Sequence, residues 1–141
     1  MKRIIVHHSL TEDSRTVSWG AIRDWHTGKN PESPYRWRDI GYHFGIERIN
    51  ENYEIMVGRM IQEIGAHTKG YNRDSVGICV VGNFDLVSPD AAQYSLSARL
   101  ISSICDLFDI PHSQVFGHRD FANKSCPGNK FDMDFLRSLL R

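Results

Sequence analysis

The chain has 141 residues, with Lys+Arg and Asp+Glu both at 17 and a formal net charge of zero. That length suits a single domain that buries about two thirds of its unfolded surface, so neither a disulfide nor a metal is needed merely to fold. The charge balance offers no basic surplus for nucleic acid, and three widely spread cysteines, an odd number, imply no disulfide framework.

In chain order, Ile4-Ile5-Val6 is β-branched and reads as a buried strand that delivers His7-His8-Ser9 at its C-terminal end. Neighbouring side chains in a strand point to opposite faces, so only one of the two histidines faces a given site. Met1-Lys2-Arg3 is basic, but the apolar run behind it is too short for a signal peptide, and nothing approaches a membrane span. A cytoplasmic product with no Sec-type export signal and no membrane anchor is expected.

Glu12 to Ser18 is polar and reads as a loop. Thr16 or Ser18 caps a helix running to about His26, with Trp19, Ile22 and Trp25 or His26 at helical spacing and Gly28 as its stop. Lys29 to Trp37, with Pro31 and Pro34, is turn-rich. Asp39 to Ile49 alternates as a strand, Asn50-Glu51-Asn52 turns, and Tyr53 to Gly58 returns, which predicts a β-hairpin. Gly65 to Arg73 is a polar, glycine-flanked exposed loop. Val76 to Gly82 is almost continuously apolar, as a central strand covered on both faces requires.

Ser88-Pro89 predicts the N-cap and first position of a long helix. Leu96, Leu100, Ile104 and Phe108 recur along it every four residues, and Pro111 lies beyond its end. Gln114-Val115-Phe116 forms a short strand, and Asp132 to Leu140 a terminal amphipathic helix. Strands alternating with helices define an α/β fold with one central sheet, and residues 1–141 read as a single domain acting as a monomer.

The chemistry concentrates in Gly117 to Gly128, which places His118, Lys124 and Cys126 in one short loop closed by Pro127-Gly128. Cys79, in an apolar run, and Cys105, on an apolar helix face, read as small buried hydrophobes. Cys126 lies among polar and turn residues and does not fit that description. With His7 or His8, the loop offers two imidazoles and a thiolate. Three protein ligands leave a fourth position open, which marks a catalytic rather than a structural zinc site. The softness of this set selects zinc over magnesium or calcium.

Five segments then occur in a telling order: Val6-His7-His8-Ser9, Gly41-Tyr42-His43-Phe44, Gly65 to Asn72, Ser75 to Asn83, and His118 to Gly128. Together they resemble the type 2 N-acetylmuramoyl-L-alanine amidases, the family of small bacteriophage zinc amidases and peptidoglycan recognition proteins. The likeness covers nearly the whole chain. It implies a mixed sheet flanked by helices and one Zn2+ per chain held by His7, His118 and Cys126. It also implies catalytic roles for Tyr42 and Lys124, peptidoglycan as the partner, and a place for His67 in the substrate-binding groove. Tyr42, with an unperturbed pKa near 10, acts as a hydrogen-bond donor at neutral pH. Lys124 is placed to stabilise the oxyanion formed as the amide carbonyl becomes tetrahedral.

His8 is expected in a packed second layer and His43 in a structural role, with His26 and His112 at the surface. Arg119 and Asp120 are expected as a pair around His118. Asn123 and Ser125 depart from the proline and alanine frequent in the family, which predicts a less rigid loop. The expected protein is a phage or prophage endolysin that accumulates in the cytoplasm and reaches the wall after the membrane is permeabilised. A non-catalytic peptidoglycan-binding recognition protein is one alternative, although such members typically lack the cysteine ligand. A cytoplasmic recycling amidase is another, although such enzymes commonly carry aspartate in its place.

Overall fold

The computed structural model describes residues 1–11 and 17–141. Five strands form one mixed sheet in the order β3-β2-β4-β1-β5. They are β1 (Arg3–His8), β2 (Phe44–Ile49), β3 (Asn52–Val57), β4 (Ser75–Val80) and β5 (Val115–Gly117). β1 lies between β4 and β5 and is parallel to both. β2 is parallel to β4 and antiparallel to β3. Three helices complete the fold: α1 (Trp19–Thr27), α2 (Ala91–Phe108) and α3 (Met133–Ser138).

The period of two along each strand sorts residues between two faces. Ile4, Val6, Val76, Ile78 and Val80 share one core with Tyr94, Ala98, Ile101 and Ile104 of α2 and Leu136 of α3. Cys79 instead joins Trp19 and Ile22 of α1 on the other face. Both cysteines expected to be buried, Cys79 and Cys105, are so. His8 falls on the α2 side, where its Nδ1 accepts from the Phe84 amide at 3.2 Å. His7 therefore faces the α1 side, and it is that side which carries the site.

Helix α1 is capped by Ser18, whose Oγ accepts from the Ala21 amide, and it stops at Gly28 in the left-handed region (φ 77°). Thr16, the other cap candidate, lies outside the described residues. His26, rather than Trp25, takes the buried position. The expectation of a surface histidine there is wrong, because His26 Nδ1 accepts from the Gly41 amide at 3.0 Å and its ring lies against Trp37 and Tyr42. His112 is exposed as expected.

Helix α2 begins two residues later than the Ser88-Pro89 signal, because Asp90 forms a capping box with Gln93. The hairpin turns at Asn50 with φ 56°. Its first strand starts only at Phe44, since the two residues before His43 bond irregularly: Gly41 to Ala66 and His26, and Tyr42 O to the Arg59 amide. His43 is structural, as expected. It is fully buried, with Nδ1 accepting from the Gly77 amide and Nε2 2.8 Å from Glu63 O.

Candidate metal centre

His7 comes from the C-terminal end of β1. His118 and Cys126 come from the loop that leaves β5, one strand over. Their ligand atoms all lie within 4.8 Å of one another, and His7 Nδ1 is 3.7 Å from Cys126 Sγ. Zinc bonded tetrahedrally at about 2.0–2.1 Å to nitrogen and about 2.3 Å to sulfur would set that separation near 3.6 Å. The residues present thus fit the metal in both chemistry and spacing.

The electrostatics also fit. Burial holds His7 well below the ordinary imidazole range, and the neighbouring imidazoles of His67, His118 and His8 and the charge of Lys124 add to the effect. Burial, with Lys124, lowers His118 too. Both rings are therefore neutral at pH 7 and carry a lone pair. Burial pushes the Cys126 thiol up to about 11, although the His8 amide donates to it and Lys124 opposes the shift. Without a metal the thiol is protonated, and a bound cation would take the thiolate.

Tyr42 stands beside His7, with ring centroids 5.2 Å apart, backed by Trp19 and His26. Burial raises its phenol well above the usual value, as do the nearby Cys79 and Cys126. It is a donor at neutral pH. Lys124 is exposed at the rim of an open groove of ≈ 540 Å³, whose walls include Trp37, His67, Thr68, His118 and Phe121. His67 lines this groove with both ring nitrogens already engaged: Nδ1 is 3.0 Å from His7 Nε2, and Nε2 is 3.4 Å from Ser75 Oγ.

Arg119 and Asp120 do not surround His118. The Arg119 guanidinium donates to Gly128 O and Phe131 O, and Asp120 accepts from the Gly117 amide. Both tie down the loop backbone that carries the ligands. Ser125, the departure expected to loosen this loop, supplies a tether instead: its Oγ donates to Asp85 Oδ2 at 2.9 Å, and the other oxygen of Asp85 accepts from the Asn129 amide.

Sequence reasoning missed Trp37 in the groove wall, the Thr68 hydroxyl beside His7, and Cys79 behind Tyr42. None of the three had a local signal: Cys79 shares the face of His7 because the two pair in the β1–β4 register, which the folded sheet sets.

Both the sequence and the fold have known relatives. The N-acetylmuramoyl-L-alanine amidase family matches residues 1–129. The endolysin of Enterobacteria phage T3 is 35% identical over 136 residues, spanning 92% of this chain and 81% of its own length. The endolysin of Escherichia phage T7 is 33% identical over the same spans. Among solved structures, the N-acetylmuramoyl-L-alanine amidase LysC from Clostridium intestinale URNW shares the fold, with a TM-score of 0.80 at 24% identity over 97% of this chain and 83% of that one. A mutant of Drosophila PGRP-LB in complex with tracheal cytotoxin superposes with a TM-score of 0.75 at 27% identity over 94% and 78%.

The chain belongs to the N-acetylmuramoyl-L-alanine amidase family. Its activity is that of an amidase on peptidoglycan, and its curated phage relatives are endolysins. Among the described residues, no helix is long and apolar enough to cross a membrane.

Proposed function

We propose that the chain is a phage or prophage endolysin, a single catalytic domain in which one zinc is held by His7, His118 and Cys126. It hydrolyses the amide between N-acetylmuramic acid and L-alanine. The observation that carries this reading is the convergence of three ligand atoms within 4.8 Å beside a groove that also bears Lys124. A zinc bound there supplies a Lewis acid and a water of lowered pKa.

The chain's own groups do the rest. Tyr42, kept protonated by burial, donates a hydrogen bond toward the reacting oxygens. The Lys124 ammonium places positive charge where the tetrahedral oxyanion develops, the kind of electrostatic contribution that is usually largest in acyl transfer. Trp37 and Phe121 give the groove apolar walls for the sugar and stem peptide. The protein accumulates in the cytoplasm and reaches the wall through a membrane lesion made by another protein.

The test is zinc content measured alongside clearing of chloroform-treated cells, with and without chelator. Cys126→Ser is expected to lose zinc and nearly all clearing. Full activity of the metal-free protein would overturn the proposal, and wall binding without clearing would favour a recognition protein.

A further inference from the structure

Behind the three ligands runs a chain of hydrogen bonds whose direction can be read. Ser75 Oγ lies 2.7 Å from Tyr71 O, a carbonyl that only accepts, so the serine's one hydrogen is committed there. Toward His67 Nε2, 3.4 Å away, the serine oxygen is then an acceptor, and His67 carries its proton on Nε2. Its Nδ1 is left with a lone pair, 3.0 Å from His7 Nε2 and 3.0 Å from Thr68 Oγ1. The Thr68 hydroxyl could fill that lone pair, but a bare His7 Nε2 would then face a second bare nitrogen at 3.0 Å, so His7 donates from Nε2. The consequence falls on its other nitrogen: Nδ1, the atom facing Cys126, is left unprotonated. The carbonyl of Tyr71 thus selects, two side chains away, the tautomer of His7 that can bind a metal through Nδ1.

The geometry around His67 is built to hold this arrangement. The ring meets His7 edge-on, with centroids 5.0 Å apart and planes at 86°. It lies in a slot against two glycines: a Cβ on Gly77 would sit 2.5 Å from its Cδ2, and one on Gly65 2.7 Å from the same atom. The loop is fixed from behind by Asn72, whose Oδ1 accepts from the amides of both His67 and Thr68 at 2.8 Å.

We infer that His67 is a positioning residue for the metal, setting the tautomer and ring orientation of His7 so that Nδ1 is aimed at the metal position. The inference rests on the reading of His7 as a zinc ligand. It replaces direct hydrogen bonding of His67 to substrate, since both of its nitrogens are occupied. Partners of this kind orient metal-bound histidines, and their loss weakens metal binding by about 10- to 100-fold.

The experiment is a zinc titration of the full chain against a chromophoric chelator, with circular dichroism as the folding control. His67→Ala is expected to fold and to bind zinc about 10- to 100-fold more weakly, with KM unchanged when zinc is saturating. His67→Asn, whose Oδ1 stands near the place of Nδ1, is expected to recover much of that affinity. Wild-type zinc affinity in folded His67→Ala overturns the inference. So does a raised KM with zinc affinity intact, which would return His67 to substrate contact. If His67→Ala does not fold, Ser75→Ala decides: a several-fold loss of zinc affinity supports the relay, and no change refutes it. A wild-type chain that binds no zinc would instead sink the metal reading itself.

Discussion

Gly77→Ala puts the slot beneath His67 to a quantitative test. The added methyl carbon would lie 2.5, 2.6 and 2.7 Å from Cδ2, Cγ and Nε2 of the ring, where carbon atoms at rest sit about 3.5–4.0 Å apart. Something must retreat by about 1 Å. The backbone cannot do so cheaply, because β4 is hydrogen-bonded to β1 on one side and β2 on the other. The ring has Gly65 against it and its bonds to His7, Thr68 and Ser75 to lose. Overpacking of this kind costs about 1–3 kcal/mol. With an unfolding entropy of about 0.3 kcal/mol/K for a chain of this size, Tm of the metal-free protein should fall by about 3–10 °C. A retreat of about 1 Å also stretches the 3.0 Å contact between His67 and His7 beyond hydrogen-bonding reach, so zinc should bind more weakly as well. Scanning calorimetry and chelator competition measure the two effects. A variant that melts and binds zinc like the wild type would show that His67 does not depend on the slot.

Two further outcomes are expected. Zinc affinity should climb at least about tenfold per pH unit between pH 7 and 9: the Cys126 thiol, raised to about 11, must release one proton per zinc, while His7 and His118, both lowered, are already neutral. Titrations in buffers of different ionisation enthalpy should count that proton together with any released by the water on the metal, and a pH-independent affinity would exclude Cys126 as a ligand. Gly20→Ala, on the exposed side of α1, where the nearest contact to its Cβ from elsewhere among the described residues is Ser18 Oγ at 3.9 Å, should stabilise the helix by about 0.5–1 kcal/mol and raise Tm by roughly 2–3 °C. A lower Tm would count against the described start of α1.

Much of the site was legible before any coordinates. The alternation of strand side chains separates His7 from His8, and the structure sends them to opposite faces of β1, one toward the metal position and one to the Phe84 amide. Four-residue spacing marked α2, although Asp90 rather than Ser88 caps it, because a side-chain acceptor with a partner at Gln93 prevails over a proline signal. The placing of Tyr42 on a strand was wrong: its residues alternate well enough, but the backbone bonds of Gly41 and Tyr42 go to Ala66, His26 and Arg59. His26 reads as a surface histidine because nothing near it in the chain announces the Gly41 amide that occupies its Nδ1.

The division follows from range. Residue type, strand period and helix period are local properties, and they determined the candidate ligands, with His7 and His8 on opposite faces, and the α/β order. What required the tertiary structure is what distant segments do to one another. β4 brings Gly77 under His67, and Gly45 of β2 leaves room for the Trp19 ring. The loop after β3 carries His67 onto Nε2 of His7, sixty residues away in the chain. Glycine in a strand looks like a weakness in sequence. Only the packed sheet shows it as the space in which the His67 ring is held against His7.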